Sequence, residues 1–156
     1  SNGLPYATLK YLRTGKPQYT VPQKYFTKLV KVEQNDLLIV WDGNAAGEIM
    51  FAKDGILSST MCKIEIKDKN YLKDYVFQII RSKNFYIRNT VIGSAIPHVY
   101  PEVFEKIGIL KLNINKQEAI TKIFREIQKA IITSEIQISE FKVMKKSLIN
   151  KIFHVF

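Results

Sequence analysis

From Lys116 to Phe153 the chain runs for 38 residues without a proline or a glycine. Nothing else in the sequence restricts the fold as strongly. A segment free of both breakers supports one unbroken helix, about 57 Å long at 1.5 Å per residue. Asn115 is placed to cap the first turn, and Glu118, three residues on, to complete a capping box. Positions spaced alternately by three and four carry Phe124, Ile127, Ile131, Ser134, Ile138, Phe141, Lys145, Leu148 and Ile152. Seven of these nine are apolar, the pattern of a coiled-coil seam with two polar breaks. Ile120, Ile123, Ile132, Ile136, Val143, Met144 and Ile149 lie beside the seam, so the apolar surface is wider than one partner helix needs. A compact body made of the preceding residues would be roughly 34 Å across, and the helix must overhang it. Leaving large apolar side chains in water costs about 1.5–3 kcal/mol each, so another polypeptide is expected to cover them. The alternative is a break near Thr133-Ser134 that folds the segment back as a hairpin, although no Gly or Pro marks such a bend.

Residues 1–112 have a different texture. Tyr6 to Leu12 alternates loosely and is read as a strand, followed by a loop from Gly15 to Pro22. Asp36-Leu37-Leu38-Ile39-Val40-Trp41 is a short apolar run that predicts a buried strand. It ends in Asp42-Gly43-Asn44, a turn signal. Glu48 to Ala52 is expected to return as the second strand of a hairpin, and Ser58 to Ile66 as a further strand after the Asp54-Gly55 turn. Leu72, Val76, Ile79 and Ile80 share one face and predict a helix over 71–81. Residues 89–99 read as loop, and Phe104 to Leu112 as a final strand. The expected class is therefore α+β: a mixed, mostly antiparallel sheet domain over 1–112, then one long helix within 113–156 that pairs as a coiled coil.

Charge narrows the partners. Lys and Arg number 24 against 14 Asp and Glu, a formal net charge of +10. Such an excess sets up a positive field that attracts phosphate backbones or anionic lipid. Aromatics and amides interleave with the cations in two stretches, Tyr11 to Lys28 and Arg81 to Asn89, and this favours nucleic acid over a merely solvated basic surface. No run of 18 apolar residues is present, so no transmembrane helix and no membrane partner are expected. A single cysteine, Cys62, excludes an internal disulfide. With no signal-peptide pattern at the first residues, the cytoplasm is the expected compartment.

The chemistry of common enzymes is missing. No glycine-rich phosphate or dinucleotide loop occurs, and His98 and His154 are the only histidines. Two lookalikes remain. Cys62 with His98 has the residue types of a nucleophile and base, but Cys62 lies inside a predicted strand, where an inert thiol is the ordinary outcome. Asp54 with Glu65-Ile66-Lys67 has the loose spacing of a metal-dependent nuclease. That motif arises easily by chance in a lysine-rich chain.

Three stretches together resemble the specificity subunit of type I restriction-modification systems. Asp36 to Glu48, continued by Gly55 and Ser58-Ser59-Thr60-Met61, is similar to the family's strand, glycine turn and strand. Gly93-Ser94-Ala95-Ile96-Pro97-His98-Val99 is similar to the segment closing its recognition domain. Ile109-Leu110-Lys111-Leu112 with Gln117 and Ile120, and the ending Lys145 to Phe153, resemble the junction into its helix and that helix's C-terminus. A complete member carries two recognition domains and two helices, whereas this chain has one of each. The family domain also begins upstream of a segment like Leu4-Pro5-Tyr6, so an N-terminal piece is expected to precede residue 1.

The resemblance implies a protein without catalysis of its own that reads one half of a split site in double-stranded DNA. It implies antiparallel pairing of the helix with a second specificity half or with another copy, through Phe124, Ile127, Ile131, Ile138, Phe141, Leu148 and Ile152. It implies docked methyltransferase subunits that bring S-adenosylmethionine, and a restriction subunit that uses ATP and Mg; this chain itself is expected to hold no cofactor and no metal. Lys10, Arg13, Lys16, Lys24, Lys28, Lys53 and Lys83 are the candidate phosphate contacts, because cations hold the backbone without reading it. Asn44, Arg88, Asn89, Thr90, Ser94 and His98 are the candidate base readers, because amide, guanidinium, hydroxyl and imidazole groups match base edges. For each, the alternative is a solvated side chain or a turn former, and for Asn44 the two readings stand level.

Overall fold

The computed structural model describes residues 2–90 and 97–153. Two small sheets stack around the apolar run identified above. The first holds β1 (Gly3–Ala7), β2 (Thr20–Pro22), β3 (Lys31–Val32) and β6 (Gly55–Leu57) in the order β2-β1-β6-β3. The second holds β4 (Leu37–Val40), β5 (Ile49–Phe51) and β7 (Met61–Ile64) in the order β5-β4-β7. Only β1 and β6 pair in parallel, Tyr6 opposite Ile56 and Ala7 opposite Leu57; the other pairs are antiparallel. The class is therefore α+β with mostly antiparallel sheets, as expected.

The central strand β4 explains the architecture. Successive side chains of a strand point to opposite faces, and all four residues of β4 are buried. Leu37 and Ile39 enter one core with Ile49, Val76, Ile80 and Ile87. Leu38 and Val40 enter the other with Ala7, Tyr11, Leu12 and Met61. A strand covered on both sides must be apolar throughout, and that is why it reads as an uninterrupted run.

The helical elements depart from expectation in three places. Leu9–Thr14 is a short helix, α1, and the strand predicted over Tyr6 to Leu12 stops at Ala7. Thr8 caps it by accepting from the Tyr11 N–H at 3.2 Å, and Gly15 closes it in the left-handed region at φ 74°. The predicted helix over 71–81 is α2 (Lys73–Ser82), and a second helix, α3 (Asn84–Asn89), follows it directly. Phe104 to Leu112 is not a strand. A one-turn helix, α4 (Glu102–Glu105), occupies its start. The rest belongs to no helix and no strand among the described residues. Its carbonyls at Ile109 and Leu110 accept instead from the hydroxyls of Tyr71 (3.3 Å) and Tyr75 (3.1 Å).

The long helix α5 (Ile114–Phe153) is one element of 40 residues, about 60 Å, and the hairpin alternative falls. Its cap is Asn113, whose Oδ1 accepts from the Lys116 N–H at 2.9 Å; Asn115 lies within the first turn. One buried amide ties the helix to the sheets. Gln117 is fully buried, accepts from the Leu72 N–H at 2.8 Å and donates to the carbonyls of Asn70 (2.7 Å) and Leu112 (2.8 Å). Two turns on, Arg125 pairs with Asp74 of α2. Phe124 is half-buried beside this joint. Every residue from 129 to 153 is exposed, so about 37 Å of helix projects beyond the body. Ile131, Ile138, Phe141, Leu148 and Ile152 all lie on that bare length. No helix among the described residues is long and apolar enough to cross a membrane.

Candidate nucleic-acid interface

The turn after β4 is built to be rigid. Trp41 and Asp42 both donate their N–H to the Thr60 carbonyl, at 2.8 and 3.2 Å, and Gly43 donates to the Pro97 carbonyl at 2.9 Å. Gly47 sits at φ 88°. A Cβ there would meet Ile87 Cγ2 at 3.0 Å and Arg88 Cγ at 3.1 Å, so glycine is needed both for the backbone and for the close approach of α3. Asn84, at the start of α3, donates to the Gly47 carbonyl at 2.7 Å.

His98 locks this turn from the far side. Trp41 Nε1–H, a donor only, points at His98 Nε2 at 3.1 Å. Nε2 is therefore the acceptor, and Nδ1 carries the proton donated to Asp42 Oδ1. Both ring nitrogens are engaged within the chain. Trp41 in turn stacks on Phe104, with the ring planes 10° apart. Of the predicted base readers, His98 is the one the fold uses as a clamp.

A cleft of about 430 Å³ opens beside the turn. Leu9 and Arg13 from α1, Val40 from β4, Thr60 from the turn before β7, Asp42, Asn44, Ala45 and Glu48 from the turn after β4, and Arg88 from α3 line it. Three predicted DNA-contacting residues, Arg13, Asn44 and Arg88, are thus brought together from sequence positions 75 apart. Arg13 is not a loose cation: its Nε lies 3.3 Å from Glu48 Oε1 and its Nη2 against Glu48 Oε2. Glu48 and Thr60 had no place among the predicted contacts, because an acid in a basic surface and a hydroxyl in a strand turn carry no signal until the fold sets them beside Arg13.

The other candidates do not line this cleft. Lys10 and Lys16 are exposed at and just beyond α1. Lys53 Nζ lies 6.0 Å above the Tyr11 ring. Lys24 and Lys28 belong to a 3-10 turn, Gln23–Lys28, with Lys24 over Tyr25 at 5.0 Å. Lys83 precedes α3 and Asn89 ends it, and both are exposed, as is Phe85. Thr90 spends its hydroxyl on the Ile87 carbonyl at 2.7 Å. Ser94 lies outside the described residues. Among the described residues, Lys10, Lys16, Lys24, Lys28, Lys53, Lys83 and Arg88 pair with no carboxylate, and of the predicted cations only Arg13 does.

The nuclease and thiol readings find no site. Asp54 is a turn former, its Oδ1 accepting from the Gln34 N–H at 2.7 Å. Glu65 and Lys67 line a different hollow, with Asp36 and Asp68, which Asp54 does not reach. No cluster of three acids, histidines or cysteines suited to a cation exists among the described residues. Burial first, then the nearby Asp42 charge, pushes the Cys62 thiol pKa up, and His98 is committed to Asp42 and Trp41.

Comparison with known proteins bears on this arrangement. A family model described as "Type I restriction modification DNA specificity domain" matches residues 2–140. The type I restriction enzyme MjaVIII specificity subunit of Methanocaldococcus jannaschii is 38% identical over 149 residues, 96% of this chain. The chain spans about a third of that relative's length, 35%. Among solved structures, the crystal structure of a type I restriction-modification system S subunit from M. genitalium matches with a TM-score of 0.57 at 14% identity. That match covers 80% of this chain and 30% of the other, and it supports the fold.

Proposed function

Because the chain belongs to the type I restriction modification DNA specificity family, we propose that it reads one half of a bipartite site in double-stranded DNA and holds that reading at a set distance from a second one. Residues 1–112 form the reader and 113–156 the spacer. The reader works as a non-catalytic component. Lys10, Lys16, Lys24, Lys28, Lys53 and Lys83 hold phosphates, while Asn44, Arg88 and Asn89 read bases. His98 contributes by fixing the turn that presents Asn44. S-adenosylmethionine, ATP and Mg belong to partner methyltransferase and restriction subunits.

The observation that carries the proposal is the bare length of α5, exposed at every residue from 129 to 153 yet carrying Ile131, Ile138, Phe141, Leu148 and Ile152. Such a surface calls for a partner. A helix from a second specificity half, or from a second copy, covers the seam, and the apolar residues beside it receive a methyltransferase subunit.

Fluorescence anisotropy against duplexes with split half-sites, with the methyltransferase partner present, tests the reading. Six phosphate contacts predict that affinity falls about a thousandfold between 50 and 200 mM salt. Binding that ignores both sequence and salt would refute it.

A further inference from the structure

Among the described residues Arg13 is the one predicted cation at the candidate interface that pairs with a carboxylate, and the pairing has a particular geometry. Glu48 meets the guanidinium side-on, through Nε and Nη2. The end-on edge, Nη1 with Nη2, has no other partner among the described residues. Both side chains line the cleft that also holds Asn44 and Arg88, and Arg13 remains half-exposed there. A phosphate contact gains from unbalanced charge and needs no fixed orientation. Arg13 differs, since Glu48 offsets its charge and holds the guanidinium by two N–H groups. A guanidinium held in a known plane with two parallel N–H groups free matches guanine O6 and N7.

We infer that Arg13 is a base-reading residue selective for guanine, and that Glu48 is the specificity-determining residue that positions it. The inference rests on the half-site reading above and reassigns Arg13 from the phosphate contacts. Glu48 also screens the cleft against a phosphate entering it, because a carboxylate beside Arg13 repels an anion.

The test is selection from a randomised duplex library by the full chain with its methyltransferase partner, for the wild type, Arg13→Lys and Glu48→Gln. Melting temperatures confirm that each variant is folded. The wild type is expected to enrich a motif with a G·C pair at one fixed position. Arg13→Lys keeps the charge but loses the fork, and is expected to drop the preference there by about 5- to 150-fold. Its preferences elsewhere and its salt slope stay unchanged. Glu48→Gln is expected to relax the same position. A uniform loss of affinity with a shallower salt slope in Arg13→Lys would make Arg13 a phosphate contact and overturn the inference, as would an unaltered motif in both variants. A wild type that binds DNA without enriching any motif would remove the half-site reading and the inference with it.

Discussion

Replacing Gln117 by alanine is expected to unfasten the long helix from the body that carries it. The side chain is fully buried and makes three hydrogen bonds, to the Leu72 N–H and to the Asn70 and Leu112 carbonyls. All three partners are backbone groups that no ladder or helix satisfies otherwise, since Leu72 stands at the N-cap of α2 and Leu112 just before α5. A buried group left without its partner costs about 1–3 kcal/mol. Asn70 lies at the exposed rim and can return to water, so two groups bear the loss, for a sum of about 2–6 kcal/mol. At about 2–4 °C per kcal/mol for a chain of this size, the unfolding midpoint should fall by roughly 4–24 °C. Thermal unfolding followed by near-ultraviolet circular dichroism, which reports Trp41 and the tyrosines of the body, reads it directly. Gln117→Glu supplies the control, because a carboxylate still accepts from Leu72 but presents oxygen to two carbonyls, and it should be no better than alanine. A midpoint within 2 °C of the wild type in both variants would refute the view that this amide is the joint.

Gly47→Ala should cost about 1–2 kcal/mol from the left-handed backbone alone, and its Cβ would push α3 outward through Ile87 and Arg88. Loss of DNA selectivity along with stability, read by anisotropy and melting, is the expected pair of effects. Asp36 is desolvated, which by itself would raise its pKa, but the Glu33 N–H and the ammonium groups of Lys63 and Lys73 outweigh this and hold the carboxyl below its ordinary value. The folded state therefore gains from the ionised form at neutral pH, and that gain disappears as pH drops from the ordinary carboxylate value, about 3.9, through the lower folded one. Asp36→Asn should flatten the acid limb of a stability–pH curve over that window, and an unchanged limb would count against the ion cluster. Phe141→Asp, on the bare part of α5, should leave the melting midpoint of the body untouched and shift the sedimentation mass of a self-paired wild type toward the monomer.

The features readable in the sequence were those that a short stretch decides alone. Leu37 to Val40 announces a strand buried on both faces because four consecutive apolar residues fit no half-exposed surface. The 40-residue rod announces itself through the lack of any breaker. Errors came where local pattern and distant contact disagree. Six residues of α1 are too few to display a helical period, and Thr8 and Gly15, which bound it, also suit a strand and a loop. Phe104, Ile107 and Ile109 pack against the core, yet the carbonyls of Ile109 and Leu110 are met by the hydroxyls of Tyr71 and Tyr75 rather than by a neighbouring strand. At the interface, residue type sufficed to nominate Arg13, Asn44 and Arg88. It could not separate an arginine gripped by Glu48 from the lysines that stand free, nor mark His98 as a clamp between Trp41 and Asp42.

On the function proposed above, these side-chain anchors matter because a spacer is useful only if its direction is set where it leaves the reader. A helix of about 60 Å joined by a flexible hinge would let the reader swing, and the distance to a second reader would spread over many base pairs. Gln117 fixes the first turn of α5 against the approaches to α2, and Arg125 with Asp74 fixes the third. Two restraints about 12 Å apart along the axis define a direction where one defines only a pivot. The same α2 leads through Lys83 into α3, which carries Arg88 to the cleft and touches Gly47. Rod and reading surface are thus referred to a common helix. Severing Asp74 from Arg125 should then cost little stability, since the pair is largely exposed, while broadening the range of half-site separations the assembled protein accepts.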